Sequence, residues 1–345
     1  MKNLKDLVRP NIWDLKPYSS ARDEFHGEAS VFLDANENPY YEPYNRYPDP
    51  MQRELKNRIS ALKDIAPEYI FTGNGSDEAI DLVIRAFCEP GIDNIVTITP
   101  SYGMYEVAAN TNHVTCVKVE LASGFKLNAQ AILDAVDSHT KVIFLCSPNN
   151  PTGNLLNREE IYRILKYFGG IVVVDEAYID FASSLSLTRG LVGFPNLVVL
   201  QTLSKAWGAA GIRLGMAFAS PGIIAVLNKI KYPYNVSRLT QEYALDVLSR
   251  EEGMKNKLSE ILNERSLVET ALHELPFVKQ IYPSDANFIL VRVEDANATY
   301  DYLVKQGIIV RNRNTIALCE GCIRITIGTP EENNALLKAL NTMTL

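Results

Sequence analysis

What this 345-residue sequence has little of narrows it before any motif is found. Its five cysteines are odd in number and spread along a long chain, which excludes a disulfide framework. Cys319 and Cys322 form a single C-x-x-C with no second pair to complete a zinc site, so two small buried residues bordering a strand are expected there. The four histidines stand singly, and neither a metal cluster nor a His-based triad is visible. Lys and Arg number 34 against 41 Asp and Glu, and a net charge of −7 with no basic stripe argues against a nucleic-acid partner. No internal repeat occurs, and no apolar stretch approaches the ~20 residues of a membrane span. The N-terminal MKNLKDLVRPNIWDLKPY lacks an apolar leader. A cytoplasmic protein with no membrane role is expected. The turn GNGSD (Gly73 to Asp77) lacks the glycine spacing of a dinucleotide site, which disfavours a dehydrogenase.

What is present is a large α/β chain. Its length suits one large domain plus a smaller one, with enough Val, Ile and Leu for a real core. The first ~30 residues, Pro-rich and polar, read as an extended arm rather than a core element. NENPYYEPYNRYPDP (Asn36 to Pro50) cannot be regular helix or central strand and reads as a long ordered loop. Strands are then expected at YIFTGNG, NIVTI, KVIFLC, GIVVVD and NLVVLQ, separated by helices such as SDEAIDLVIRAF and NREEIYRILKYF. In the latter helix, Asn157 and Glu160 resemble a capping box. Apolar strands without polar alternation predict a mostly parallel sheet covered on both faces, with ligands beyond the carboxyl ends of its strands. After Pro233 the pattern changes to helical text, then ANFILVRV, GIIVRNRN and CIRITIG with a closing helix. The domains expected are an arm over 1–30, a large cofactor-binding domain over 31–235 and a small α+β domain over 236–345. Within the large domain, 31–48 is shared with the small domain or a dimer contact.

The residues that follow each expected strand carry the chemistry. Gly75, Ser76 and Asp77 open a helix, which offers free N–H groups and a positive dipole end to an anion, although an ordinary strand–helix turn reads the same way. Tyr102 is a stacking platform or a core aromatic. SPNNPTGN (Ser147 to Asn154) has more special residues than a bland turn needs. Asp175 ends a buried VVVD strand, which is costly unless a cation pairs with it. Ser204 and Lys205 follow the next strand, with Arg213 eight residues on. Together these ask for a ligand with an anionic end, a flat ring, a protonated ring nitrogen and a carbonyl. Pyridoxal 5'-phosphate has all four features. Lys205 would take its carbonyl as a Schiff base, since a desolvated lysine readily becomes a nucleophilic amine.

SPNNPTG, DEAY and SKAWGAAGIRLG resemble the fold-type-I, class-II pyridoxal-phosphate aminotransferases, and the likeness runs over nearly the whole chain. It implies a large domain with a mostly parallel seven-stranded sheet between helices. By position it implies that Asp175 keeps the pyridinium nitrogen protonated and that Asn150 and Tyr178 bond the ring hydroxyl. Tyr102 would stack on the ring, and Gly75, Ser76, Asp77, Ser204 and Arg213 would surround the phosphate, with Asp77 orienting rather than contacting it. Lys205 would carry the proton between substrate Cα and the cofactor's C4′.

PYSSAR, LDANENP, RYPDP and IRITIGTPEEN together resemble the histidinol-phosphate aminotransferases. That resemblance implies a homodimer in which Tyr47 reaches the cofactor phosphate of the other subunit. It also implies transamination of L-histidinol phosphate with 2-oxoglutarate in histidine biosynthesis. Arg324, a charge between isoleucines, is the expected anion receptor, with Arg311 beside it and Arg313 blurring that choice. Tyr18 would close over the substrate, with Arg22 a weaker candidate and Asn38 a further substrate contact. Rival readings are an aromatic amino-acid aminotransferase, a threonine-phosphate decarboxylase and a non-catalytic pyridoxal-phosphate sensor. NENPYYEP departs from the family, which often has a glycine there.

Overall fold

The computed structural model describes residues 3–18, 24, 27 and 30–343. A seven-stranded sheet is built from β1 (Ile70–Asn74), β2 (Asn94–Thr99), β3 (Thr115–Glu120), β4 (Thr140–Cys146), β5 (Ile171–Asp175), β6 (Leu197–Thr202) and β7 (Leu214–Ala219), in the order β1-β7-β6-β5-β4-β2-β3. The pairings β2–β3, β2–β4, β4–β5 and β5–β6 are parallel, while β7 runs antiparallel to both β1 and β6. Reversing that one strand matters for the site. The carboxyl ends of β1, β4, β5 and β6 lie on one edge, and β7 begins there, so Arg213 just before it joins them.

Alternate residues explain why the strands read as unbroken apolar runs. Val172 and Val174 of β5 enter the core on one face, and Ile171 and Val173 enter the core on the other. Each such side chain is worth ~1.5–3 kcal/mol when fully buried. A second sheet, in the order β10-β11-β9-β8, combines β8 (Val278–Ile281), β9 (Phe288–Val293), β10 (Arg311–Asn312) and β11 (Cys322–Thr326). It packs on the helices Glu251–His273, Ala296–Lys305 and Pro330–Asn341 around its own core. We propose the domain division in the turn near residue 235. The helix Arg238–Ser249 that follows still sends Ala244, Val247 and Leu248 into the large-sheet core.

Several expectations change. Residues 4–13 are not extended: Leu4–Leu7 and Pro10–Trp13 are short helices, and Leu7 and Val8 are buried in the large core. Arg9 ties this segment down with a 3.0 Å ion pair to Glu89. β3 and β7 were not expected as strands. β3 is a half-exposed edge with a polar alternation, and β7 is the small-residue run LGMAFA. Asn157 caps its helix by accepting from the N–H groups of Glu159 (2.8 Å) and Glu160 (3.4 Å), but the reciprocal half is missing. The Glu160 carboxylate instead accepts from Ala129 N at 2.7 Å. A full capping box does form between Thr329 and Glu332. Cys319 and Cys322 are buried and free. Among the described residues no group of three or more side chains forms a metal site, and no helix is long and apolar enough to cross a membrane.

Candidate active site

The strand ends converge on a cavity of about 540 Å³ between the two sheets. At β1 the chain turns into the helix Gly75–Phe87. Gly75 sits at φ +73°, and a Cβ there would lie 2.7 Å from Arg213 Nη2. At Gly215 a Cβ would come within 2.1 Å of Ser76 N, so the close approach of β7 to the helix start requires glycine. Asp77 ties this corner together. Its Oδ2 accepts from Arg213 Nη2 at 3.2 Å, and its Oδ1 accepts from the Tyr102 hydroxyl at 3.1 Å. The Ser204 hydroxyl accepts from Thr202 Oγ1 at 2.9 Å.

Asp175 is only 2% exposed. Its Oδ2 accepts from the Tyr105 hydroxyl at 2.8 Å and its Oδ1 from Ala177 N at 3.0 Å. Burial pushes its carboxyl up to about 6, with those two donors opposing the shift. Among the described residues no ammonium or guanidinium is hydrogen-bonded to it, so a cationic ligand would relieve a real cost. The adjacent Glu176 turns away and is structural, accepting from Leu187 N (2.7 Å), Ser186 Oγ (2.5 Å) and Gln201 Nε2 (3.0 Å).

Lys205 places Nζ 5.4 Å from the centre of the Tyr178 ring. Burial, then the charge of Arg324, lowers its pKa. Asn150 Nδ2 donates to the Tyr178 hydroxyl at 3.5 Å, and its Oδ1 accepts from Arg324 Nη1. Arg324 also lies 5.1 Å from the centre of the Phe288 ring.

The far wall is cationic. Register pairs Arg311 of β10 directly with Arg324 of β11, a like-charge pairing that is unfavourable by itself. Arg313 lines the same cavity, and the Nε atoms of Arg313 and Arg324 are buried with no hydrogen-bond partner among the described residues. Burial, Arg324 and Arg311 together push Arg313 down to about 10.

All the expected cofactor residues except Tyr47 line this cavity, as do Arg311 and Arg324. Tyr47 instead stacks on Tyr234 (4.3 Å, 13°) in a second cavity of about 450 Å³. Asn38 is exposed and serves its own loop, accepting from Tyr40 N at 3.0 Å. Tyr18 is 72% exposed, and Arg22 lies outside the described residues. Tyr105, Thr202 and the walls Met104, Val107 and Ile316 were not singled out from the sequence. The residues present suit pyridoxal phosphate. Gly75 keeps a helix start open, Asp175 is a buried carboxylate, and a lysine of lowered pKa lines the same cavity.

A model of the class I and II aminotransferases matches residues 32–340. Over 345 residues, the whole of both chains, the sequence is 67% identical to a histidinol-phosphate aminotransferase of Parabacteroides distasonis. It is 59% identical over 341 residues, 99% of each chain, to the enzyme of the same name from Bacteroides fragilis. Among solved structures, the histidinol-phosphate aminotransferase of Clostridium acetobutylicum superposes with a TM-score of 0.80 at 27% identity, covering 86% of this chain and 90% of that one. The Sinorhizobium meliloti enzyme in complex with pyridoxal-5'-phosphate shares the fold, with a TM-score of 0.79 at 24% identity over 87% of this chain and 84% of that one.

Proposed function

The chain belongs to the histidinol-phosphate aminotransferases of aminotransferase class I and II, and from that premise we propose the substrates, residue roles and assembly that its pocket serves. It is a pyridoxal-phosphate-dependent transaminase. When bound, the cofactor supplies a carbonyl for amine exchange and a ring that accepts electrons from the substrate's Cα–H bond. The remaining work falls to the chain. Lys205 Nζ, with its lowered pKa, is the nucleophilic amine and the carrier of the Cα proton. Asp175 holds the proton on the ring nitrogen. Asn150 and Tyr178 bond the ring hydroxyl, and Tyr102 covers one ring face. Gly75, Ser76, Ser204 and Arg213 receive the phosphate, while Asp77 orients Arg213 through its 3.2 Å ion pair.

The reaction we assign is L-histidinol phosphate with 2-oxoglutarate giving imidazole acetol phosphate and L-glutamate. The observation that carries it is the wall of Arg311, Arg313 and Arg324. Three guanidiniums on one wall of the cavity, two of them opposed in register, suit a doubly charged phosphate in one half-reaction and carboxylates in the other. Adding L-histidinol phosphate without a keto acid is expected to bleach the visible cofactor band and raise that of the pyridoxamine form. A band that ignores histidinol phosphate but responds to phenylalanine would overturn the substrate and favour an aromatic aminotransferase.

We further propose a homodimer. Residues 31–47 expose Val31, Leu33, Tyr40, Tyr41 and Tyr44, apolar side chains that a partner subunit would cover. Tyr47 is half exposed and lies outside the cofactor cavity, and we assign it to the other subunit's phosphate. Sedimentation at micromolar concentration is expected to give twice the chain mass, and a fully active monomer would refute it. Tyr18 and Asn38 are exposed too, and we assign them to substrate closure once the dimer forms. Five free cysteines support a reducing, cytoplasmic setting.

A further inference from the structure

Tyr105 lies in the first turn of the helix Met104–Thr111 and is fully buried. Its ring stacks on Phe144 (5.0 Å, 17°) and meets Tyr102 edge-on (5.6 Å, 85°). Its hydroxyl is the 2.8 Å donor to Asp175 Oδ2. We propose that Tyr105 is a positioning residue for the transamination: one immobile ring that sets the Tyr102 ring over the cofactor and holds Asp175 in its ionised form against the ring nitrogen. The proposal rests on the roles given above to Asp175 and Tyr102.

A buried tyrosine hydroxyl needs an acceptor, and a neutral carbonyl would serve a core residue well enough. Here the acceptor is a buried carboxylate, so the bond favours the charged form specifically. Ala177 N occupies the other oxygen, and a carboxylate keeps further lone pairs for a ligand. The other groups around Asp175 do not replace this donor. Cys146 is its partner across β4–β5, with a thiol that burial keeps protonated. Asp77 repels it, Lys205 attracts it only weakly, and burial and neighbouring charge keep Tyr178 protonated.

Removing the hydroxyl leaves the carboxylate under-solvated and therefore more basic. The proton shared between Asp175 and the ring nitrogen then shifts from nitrogen to carboxylate oxygen, with no net proton gained or lost. The ring becomes a poorer electron sink, although packing is unchanged.

The test is Tyr105→Phe, which keeps the stack on Phe144, loaded with cofactor carrying ¹⁵N in the ring. The expected ring-nitrogen resonance moves from its wild-type position toward that of Asp175→Asn. The turnover number is expected to fall about tenfold, the size of one hydrogen bond to a charged group, with KM changed less than twofold. Adding Tyr105→Phe to Asp175→Asn is expected to change neither readout further, since the hydroxyl acts through the carboxylate. A Tyr105→Phe resonance at the wild-type position would overturn the proposal and leave the role of Asp175 standing. A wild-type nitrogen without a proton would overturn both.

Discussion

The two ends of the pocket are built on opposite principles. At the end we assign to the cofactor, polar side chains find partners within the chain. Asp77 joins Arg213 and Tyr102, Asp175 has two donors, Ser204 has Thr202, and Asn150 reaches Tyr178. At the arginine end, Arg311 faces Arg324 across a two-residue strand, and Arg313 adds a third cation to the same wall. There, among the described residues, Arg324 donates only to the neutral Asn150. The difference follows from what each end holds. A resident cofactor is met by a preorganised frame of hydrogen bonds made within the chain, with the charge of Asp175 left for the ligand. Substrates that arrive and leave twice per cycle are met by uncompensated charge, so that the incoming anion supplies the missing partner. The arginine end is thus destabilising to the fold and useful to the reaction, a trade common at functional sites.

Arg324→Gln is the strongest way to break that contrast. Removing one partner of a half-buried charge pair costs several kcal/mol of binding, so KM for both the amino phosphate and the keto acid is expected to rise by about a hundredfold or more. The free protein is expected to melt no lower than wild type, since the opposed Arg311 loses its repulsion. Steady-state kinetics alongside a thermal melt checks both. A variant that loses stability while keeping both KM values would make Arg324 a structural residue and dissolve the difference between the ends.

The cofactor end was the more legible in the sequence, for a physical reason. A carboxylate closing VVVD and a lysine three residues after NLVVLQT are each costly unless a ligand needs them, and the glycines before a helix gain meaning beside them. Their positions at strand ends follow from the apolar strands themselves. Tyr105 escaped because nothing in SYGMY distinguishes a core aromatic from one whose hydroxyl reaches a carboxylate 70 positions away. The arginine end was half legible. Arg324 stood out between isoleucines, but choosing between Arg311 and Arg313 needed the register of β10, which two residues cannot reveal. β7 was hidden because its small residues look like a loop until Gly215 is seen packed against the start of the Gly75 helix. The residues we assign to a dimer contact, Tyr18, Asn38 and Tyr47, were readable only by resemblance, since a single chain leaves them exposed.

One charge at the cofactor end is left uncompensated, and pH sharpens the comparison there by a smaller amount. In cofactor-free protein, burial raises Asp175 from 3.8 to about 6, so the folded chain holds that proton more tightly than the unfolded one. Its contribution to stability is therefore full below about pH 4 and is lost as pH rises through 6. Asn carries no charge at any pH, so the stability of the wild type minus that of Asp175→Asn isolates this group from every other carboxylate. That difference is expected to fall by about 1–2 kcal/mol between pH 4 and 7 in the cofactor-free proteins, less than two full pH units' worth because water enters the empty pocket. With cofactor bound, a protonated ring nitrogen supplies the missing cation and reverses the trend above pH 6. Urea titrations of both proteins across that range decide the matter. A flat difference without cofactor would mean that Tyr105 and Ala177 alone satisfy the carboxylate, and that this end of the pocket needs no ligand to complete it.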